Sequence, residues 1–206
     1  MSDLRTIDTI ADLESLYGTP PEGSLLKEID RLTPEYTRWL TSAPFFGLAT
    51  IGPEGMDCSP RGDARQGAFV VDETTLHIPD RRGNNRLDSL RNIVRDGRVG
   101  LLFLIPGVRE CLRVNGRAVL TDDATLRRSY AVEDKLPATV IVVSIESVYF
   151  QCARAVTRSG LWDSSTWIDP SSVPTAGQMT KGARAPDFDA EAYDGALRER
   201  QARTLW

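Results

Sequence analysis

The stretch IPDRRGNNRLDSLRN, residues 78–92, concentrates side chains that bind anions where a strand pattern gives way to a helical pattern. The polar residues of this corner are Arg81, Arg82, Asn84, Asn85 and Arg86. Guanidinium groups match the geometry of a phosphate, and the first backbone amides of a helix are free to donate to an anion. A helix that begins near Asn84 would place both kinds of donor together, which predicts a phosphate site. A solvated basic turn whose asparagines only cap the helix is the other interpretation.

The distribution of charge along the chain indicates which classes of partner this corner could bind. Residues 81–117 contain nine arginines and three acidic residues, a local charge of +6 in a chain whose net charge is −4. Twenty-two arginines stand against three lysines, which reflects either genome composition or phosphate recognition. The acidic total and the pI of about 5.2 argue against nucleic acid or an anionic membrane as the partner of the whole chain.

Length and composition predict one generous domain or a domain with arms. The 206 residues include no apolar run that could span a membrane, and the N-terminus is polar and acidic, unlike a secretory signal. The three cysteines are widely spaced and form no metal-binding pattern, so we expect a reducing compartment and a cytoplasmic protein without a metal site. His77 is the only histidine, and its place in an alternating strand indicates a structural role.

Hydrophobic spacing predicts the elements that position the corner. The expected strands are FFGLATIG, MDCSPRGD, GAFVVD, TTLHIPD, RVGLLFLI, ECLRVNGRAVLTD and ATVIVVSIESVYFQ. The expected helices cover 8–17, 24–32, a segment from Pro34, the segment from the corner to Gly97, 123–131, a segment ending at Gly160, and 189–204. Short strands with Gly and Pro turns and without βαβ units favour a small antiparallel barrel. The glycine within ECLRVNGRAVLTD suggests a bulge.

These elements divide the chain into three parts. We expect an N-terminal helical arm over 1–32, a β domain over 33–162, and a loop-rich C-terminal arm with a final helix over 163–206. The β domain contains every motif that suggests chemistry, so the site is expected there.

Long contiguous motifs carry a resemblance to a known family. SPRGD, TLHIPDRRGNNRLDSLRN, LLFLIPG and LRVNGRAVL resemble segments of the pyridoxamine 5′-phosphate oxidase family, especially of an uncharacterised bacterial branch. The resemblance runs from about Thr33 to Trp162. It implies a mainly β fold with flanking helices (α+β), built as a six- to seven-stranded antiparallel split barrel. It also implies FMN binding by a homodimer with two flavin sites at the subunit interface.

The resemblance assigns flavin contacts by position. Arg61 matches the family's basic residue on an early strand, which would hold the FMN phosphate together with the corner formed by Pro79, Arg82, Asn84 and Asn85, with Arg86 beside it. Backbone groups of 59–63 and 78–80 would face the isoalloxazine ring. Asp63 would hydrogen-bond the flavin or, as we expect, pair with Arg61. The residues assigned to the cofactor are Ser59, Arg61, Gly62, Asp63, Ile78, Pro79, Asp80, Arg82, Asn84, Asn85, Arg86 and Cys111.

Two departures separate this sequence from the oxidases themselves. Cys111 stands where they carry a glutamine that reaches the flavin from the second subunit, and a thiol is a poorer hydrogen-bonding group. The Arg–Leu–His pattern that binds their pyridoxal substrate is missing, so we expect FMN binding without oxidation of pyridoxamine phosphate. Arg154, Arg158 and Trp162 would either clamp a small anionic substrate beside the flavin or form a basic face over a core tryptophan.

Three functions remain open at this point. The first is an FMN-dependent oxidoreductase of an unidentified small molecule, in which the protein supplies position and electrostatics to the flavin. The second is a non-catalytic flavin carrier or sensor. The third is a tetrapyrrole-binding protein on the same barrel, for which an axial histidine is hard to find. The sequence also leaves open whether the flavin is FMN or a larger deazaflavin.

Overall fold

The computed structural model describes residues 4–64, 66–184 and 186–205. Small parts of the two predicted arms, residues 1–3, 185 and 206, lie outside the described residues. The strands are β1 (Phe45–Gly52), β2 (Gly55–Gly62), β3 (Phe69–Val70), β4 (Thr75–Pro79), β5 (Arg98–Leu104), β6 (Cys111–Thr121) and β7 (Val140–Gln151). The helices are α1 (Ile10–Tyr17), α2 (Glu22–Leu25), α3 (Pro34–Thr41), α4 (Asp88–Arg95), α5 (Ala124–Ser129), α6 (Arg154–Ser159), α7 (Ala176–Arg184), α8 (Ala190–Gly195) and α9 (Leu197–Thr204).

The seven strands form one antiparallel sheet in the order β2-β1-β5-β6-β7-β4-β3. Within the described part of the chain, β2 and β3 are the two edges, so the sheet is not closed. The predicted class, a mainly β fold with flanking helices built on an antiparallel split barrel, is confirmed. The predicted bulge is also present, since the register of β6 on β7 shifts between Asn115 and Gly116. A side chain at Gly116 would collide with the carbonyl oxygen of Ser144, so glycine allows the two strands to approach.

The core lies on one face of this sheet. Alternate residues of β1 and β5 point into it, and the rings of Phe46 and Phe103 pack with their centroids 4.8 Å apart. Leu40 of α3 is fully buried against this core. Thr33 caps α3 by accepting a hydrogen bond from the Tyr36 amide at 3.2 Å, as its sequence predicts. The sheet and α3 therefore supply a rigid frame for the polar edge at β2.

α4 is fixed against the strands that carry the polar corner. It buries Leu90 and Ile93, and with them the polar side chains of Ser89 and Asn92. Asn92 Nδ2 donates to Thr50 Oγ1 of β1 at 3.2 Å, which pairs two buried polar groups. The first turn of α4 is consequently held beside β2.

The helix predicted over 24–32 is wrong. α2 covers only Glu22–Leu25, and Ile29 instead pairs with Val148 of β7. Each of these two residues donates its amide to the carbonyl of the other, at 3.1 and 2.8 Å. β4 pairs with β7 only as far as Ser144, which leaves backbone groups of β7 in need of partners. The need of these β7 backbone groups for hydrogen-bond partners outweighs the helical pattern of residues 24–32.

The C-terminal arm also differs from its prediction. The single helix expected over 189–204 is two helices, α8 and α9, that are separated at Ala196. α7 precedes them and was not predicted. It is held to α8 by the Asp194 carboxylate, which accepts from Thr175 Oγ1 at 2.5 Å and from the Gly177 amide at 2.8 Å. α7 contains two glycines, so its helical pattern in the sequence is weak.

Candidate functional site

A cavity of about 570 Å³ opens between β2, the end of β4, the loop 81–87 and the first turn of α4. Residues from two segments that are well separated in sequence, 57–63 and 78–90, form most of its wall. The predicted cofactor residues that line it are Ser59, Arg61, Gly62, Asp63, Ile78, Pro79, Asp80, Arg82, Asn84, Asn85 and Arg86. The structure therefore brings together all of the predicted cofactor residues except Cys111.

β2 presents alternate side chains to this cavity. Arg61 lies opposite Phe46 of β1, whose side chain is fully buried, and residues paired across strands share a face of the sheet. Asp57 and Ser59 point the same way because side chains alternate along a strand. Pro60 is tolerated because β2 is an edge strand and no further strand needs its missing amide hydrogen.

A hydrogen-bond network covers the floor of the cavity, which we define as Asp57, Ser59, Arg61, Asp80 and Ser89. Arg61 Nη1 lies 2.5 Å from Asp80 Oδ1, and the two side chains are 21% and 15% exposed. Arg61 Nε donates to Ser59 Oγ at 3.4 Å, and Ser59 Oγ lies 2.9 Å from Ser89 Oγ. Ser89 Oγ in turn donates to Asp57 Oδ2 at 2.5 Å. The network joins β2, β4 and α4, so it sets the relative positions of the three walls.

Arg81 makes a second set of bonds at the side of the cavity. Its Nε donates to Asp63 Oδ2 at 2.9 Å, and its Nη1 donates to the Tyr130 carbonyl at 2.7 Å. The expected pairing of Asp63 with Arg61 is therefore wrong, because Arg61 is bound to Asp80. Arg81 follows the end of β4, and Asp63 follows the end of β2. Their ion pair therefore holds the ends of the two strands together.

The loop 81–87 is not the start of the helix. Asn85 and Leu87 have φ angles of +59° and +62°, which are left-handed, and α4 begins only at Asp88 without a side-chain cap. Asn84 Oδ1 accepts the Arg86 amide at 3.1 Å and closes a local turn. The prediction that the helix begins near Asn84, with the asparagines as caps, is thus wrong. Asparagine adopts the left-handed region with little strain, which suits this loop.

The arginines of the cavity differ in their pairing. Arg61 and Arg81 are paired and largely buried, and Arg86 forms an exposed ion pair with Asp88 at 2.8 Å. Arg82 is exposed and, among the described residues, has neither a hydrogen bond nor an ion pair. Within the part of the chain that the structure describes, its charge is the one in this wall that is left for an incoming anion.

The remaining predicted site residues lie outside the cavity of their own chain. Cys111 is buried at the start of β6, and burial, then the charge of Glu110, raises the pKa of its thiol. Trp162 Nε1 donates to the Val108 carbonyl at 2.8 Å and so packs under the turn after β5. Arg154 and Arg158 are exposed on α6. None of these four residues is among those that line the cavity in the described part of the chain.

The sequence predictions did not include Asp57 and Ser89 of the site, and they placed Arg81 in the corner without assigning it a role. The alternation of β2 placed Asp57 on the same face as Ser59 and Arg61, so that pattern could have found it. Ser89 stands on the apolar face of α4 beside Leu90, and a polar residue at such a position signals a buried partner. Arg81 stood in the noted motif, but its partners Asp63 and Tyr130 are distant in sequence.

Over 4–64, 66–184 and 186–205, no group of three or more His, Cys, Asp or Glu side chains is placed to hold a metal ion. In the same ranges, no helix has both the length and the apolar character needed to cross a membrane.

The open antiparallel sheet and its polar edge cavity define a split-barrel protein. The family model of pyridoxamine 5′-phosphate oxidase matches residues 32–152, more than half of the chain. The chain belongs to the pyridoxamine 5′-phosphate oxidase family. No curated protein matches it.

Several solved structures are similar to this one. HupZ of Group A Streptococcus is 15% identical over 57% of this chain and 91% of its own, with a TM-score of 0.47. A candidate pyridoxamine 5′-phosphate oxidase of Lactobacillus delbrueckii is 22% identical over 59% of this chain and 95% of its own, with a TM-score of 0.48. An F420 reductase is 20% identical over 58% of this chain and 98% of its own, with a TM-score of 0.39.

Proposed function

We propose that this protein binds FMN in the cavity between β2, β4 and α4 and is an FMN-dependent oxidoreductase of a small molecule still to be identified. The observation that carries the proposal is the position of Arg82, a cation without an ion pair among residues 4–64, 66–184 and 186–205, on the wall of a cavity of about 570 Å³. Cavities of this size commonly hold cofactors and other small ligands. Membership of the family supports the proposal, because its members commonly bind flavin.

The residues present fit an anionic, partly aromatic ligand such as FMN. Arg82, with Arg86 beside it, would hold the phosphate, since both side chains are exposed at the mouth of the cavity. Ile78 and Pro79 are buried in the wall and offer an apolar surface to a ring. A bound flavin would supply hydride or electron transfer, while these residues bind and orient it and exclude water.

A homodimer with two flavin sites at its interface is part of the same proposal. Cys111, Arg154, Arg158 and Trp162 do not line the cavity of their own chain, and we expect them to serve the site of a second copy. In that position Arg154 and Arg158 would offer positive charge to a small anionic substrate. The lack of the oxidases' Arg–Leu–His pattern leads us to expect little oxidation of pyridoxamine phosphate. The three free thiols suit a reducing compartment such as the cytoplasm.

Two alternatives can be separated from this proposal. Substrate turnover by the FMN-loaded protein would distinguish an oxidoreductase from a flavin carrier or sensor. A tetrapyrrole-binding role has less support, because the single histidine, His77, lies in β4 with Nδ1 2.9 Å from Tyr130 Oη and does not line the cavity.

The test of FMN binding is the change Arg82→Ala. It removes the unpaired cation, and a hydrogen bond to a charged group is worth about 1.5–3 kcal/mol, so FMN affinity should fall at least about tenfold. Riboflavin, which lacks the phosphate, should bind the wild-type protein more weakly than FMN and should be little affected by the change. Fluorescence titration measures all four affinities.

Arg91→Ala is the matched control for this test. Arg91 is exposed on α4, carries the same charge close by, and does not line the cavity. Its loss should leave FMN affinity within about twofold of wild type, because exposed charges are screened by salt. Equal affinities of wild type and Arg82→Ala for FMN would contradict the proposed phosphate site.

A further inference from the structure

The hydroxyl hydrogens on the cavity floor are already used within the protein. Ser89 Oγ lies 2.5 Å from Asp57 Oδ2, and a carboxylate can only accept, so Ser89 donates there. Ser59 Oγ, 2.9 Å from Ser89 Oγ, must then be the donor of that pair, because Ser89 has a single hydrogen. Arg61 Nε donates to Ser59 Oγ and completes a chain that runs in one direction. Both serines therefore offer a ligand only lone pairs.

The Asp80 carboxylate adds a stronger acceptor to the same floor. It is largely buried, lines the cavity and accepts from Arg61 on Oδ1. Among the described residues, nothing donates to its Oδ2, although a carboxylate can accept about four hydrogen bonds. Arg61 and Asp80 together are neutral, so the pair exerts little attraction on a phosphate. Arg61 keeps three N–H groups that have no partner among the described residues, but the free lone pairs of Asp57, Asp80 and the two serines outnumber them.

We propose that Asp80 makes the cavity floor select a ligand group that donates hydrogen bonds, while the loop 81–87 takes the phosphate. The inference rests on the proposed flavin binding and adds to it a residue that determines specificity. A phosphate placed on the floor would find the charge of Arg61 already neutralised by Asp80, and it would face the Asp57 carboxylate, which has no ion pair among the described residues; like charges at close range repel. The loop offers Arg82 instead, to which no carboxylate of the described residues is bound. The orientation of the ligand follows from this difference in charge.

In FMN, two groups could satisfy the floor: the hydroxyls of the ribityl chain and the N3–H of the pyrimidine ring. Both are hydrogen-bond donors, and two analogues separate them. In 3-methyl-FMN the N3–H is blocked, and in a flavin carrying a plain phosphoalkyl chain the hydroxyls are missing. Wild type should bind at least one of these analogues about ten or more times less tightly than FMN, because an unsatisfied buried acceptor is costly.

The decisive variant is Asp80→Asn. Arg61 should keep the remaining oxygen, so the amide nitrogen replaces Oδ2 and meets the ligand with a donor in place of an acceptor. The ratio of FMN affinity to analogue affinity should then fall towards one. Inorganic phosphate, measured by competition, should bind this variant more tightly than wild type, because a negative charge has been removed from the cavity.

Asp88→Asn is the control, since Asp88 also lines the cavity and loses the same charge but lies at the mouth with Arg86. It should strengthen phosphate binding and leave the FMN-to-analogue ratio at its wild-type value. Ser59→Ala removes a hydrogen-bond acceptor from the floor without a change of charge, and it should also lower the FMN-to-analogue ratio. This variant replaces Asp80→Asn in the experiment if Asp80→Asn does not fold.

The outcomes separate this inference from the proposed function. Wild type that binds FMN and both analogues equally, or floor variants that keep the wild-type ratio, would overturn the role of Asp80 and leave FMN binding intact. Wild type that binds no flavin at all would overturn both.

Discussion

Arg81 differs from its neighbour Arg82 in what it holds together. Its guanidinium donates to Asp63 at the end of β2 and to the carbonyl of Tyr130 beyond α5, and it is only 16% exposed. Arg81 therefore joins the end of β2, which lines the cavity, to the segment that follows α5. Arg82, one residue later, makes no such bonds among the described residues. Of these two adjacent arginines, Arg81 thus has a structural role and Arg82 has a proposed role in ligand binding.

Replacement of Arg81 by Met should lower the free energy of unfolding by about 1–3 kcal/mol. The change leaves the Asp63 carboxylate and the Tyr130 carbonyl without their donor, and an unsatisfied, partly buried acceptor costs about that much. Urea denaturation measures the effect. Arg86→Met, which breaks only an exposed ion pair with Asp88, should stay within about 1 kcal/mol of wild type. Similar losses in both variants would contradict the structural role.

At the scale of elements, β4 carries the wall of the cavity, and a cluster of aromatic rings supports it. His77 of β4 lies opposite Phe69 of β3, and its Nδ1 is 2.9 Å from Tyr130 Oη. Tyr130 packs on the Phe69 ring with centroids 4.8 Å apart. The cluster ties the end of α5 to β4, just before the chain enters the cavity at Ile78.

The pH dependence of stability should show the contribution of His77. Burial lowers its pKa below the usual 6.5, and the nearby Asp72 opposes this only in part. The folded state then binds a proton less readily than the unfolded state, so the contribution of His77 is complete above pH 6.5 and is lost as pH falls through the folded pKa. His77→Gln should weaken the loss of stability between pH 7.5 and 5.5, as measured by thermal unfolding. An unchanged pH profile in the variant would contradict this.

At the scale of the whole molecule, one face of the sheet is covered by the core and the opposite face exposes apolar residues. Phe45 and Leu102 are each 42% exposed on that opposite face. Gly47 and Gly100 lie near them in paired strands, so the surface has little relief. Exposed apolar surface of this kind commonly marks an interface. It is the surface that we expect a second copy of the chain to cover in the proposed homodimer.

Leu102→Arg should convert the proposed dimer to a monomer. The change puts a positive charge opposite Arg113 of β6, on the same face of the sheet, and burial of two like charges against a second copy is costly. Light scattering at micromolar concentration should report a dimer for wild type and a monomer for the variant. Val94→Arg is the control, because Val94 is 73% exposed on α4, on the other side of the sheet. A monomeric wild-type protein with FMN fully bound would contradict the interface sites.

Local sequence was sufficient for most elements of this protein. The strands, the bulge at Gly116 and the capped start of α3 follow from alternation, turn residues and capping residues that act over a few positions. The polar corner was also recognisable, because its arginines and asparagines are contiguous. The motifs predicted the family, and the match over residues 32–152 confirmed it.

Only the tertiary structure decided which charges of the corner are free. Arg61 pairs with Asp80, 19 residues away, and Arg81 with Asp63, 18 residues away, so neither pairing could be read from local spacing. The left-handed Asn85 and the late start of α4 were likewise not evident from the helical spacing of the sequence. Side-chain pairing and loop conformation are set by distant partners brought close in the fold, whereas strand and helix patterns are set by neighbours along the chain.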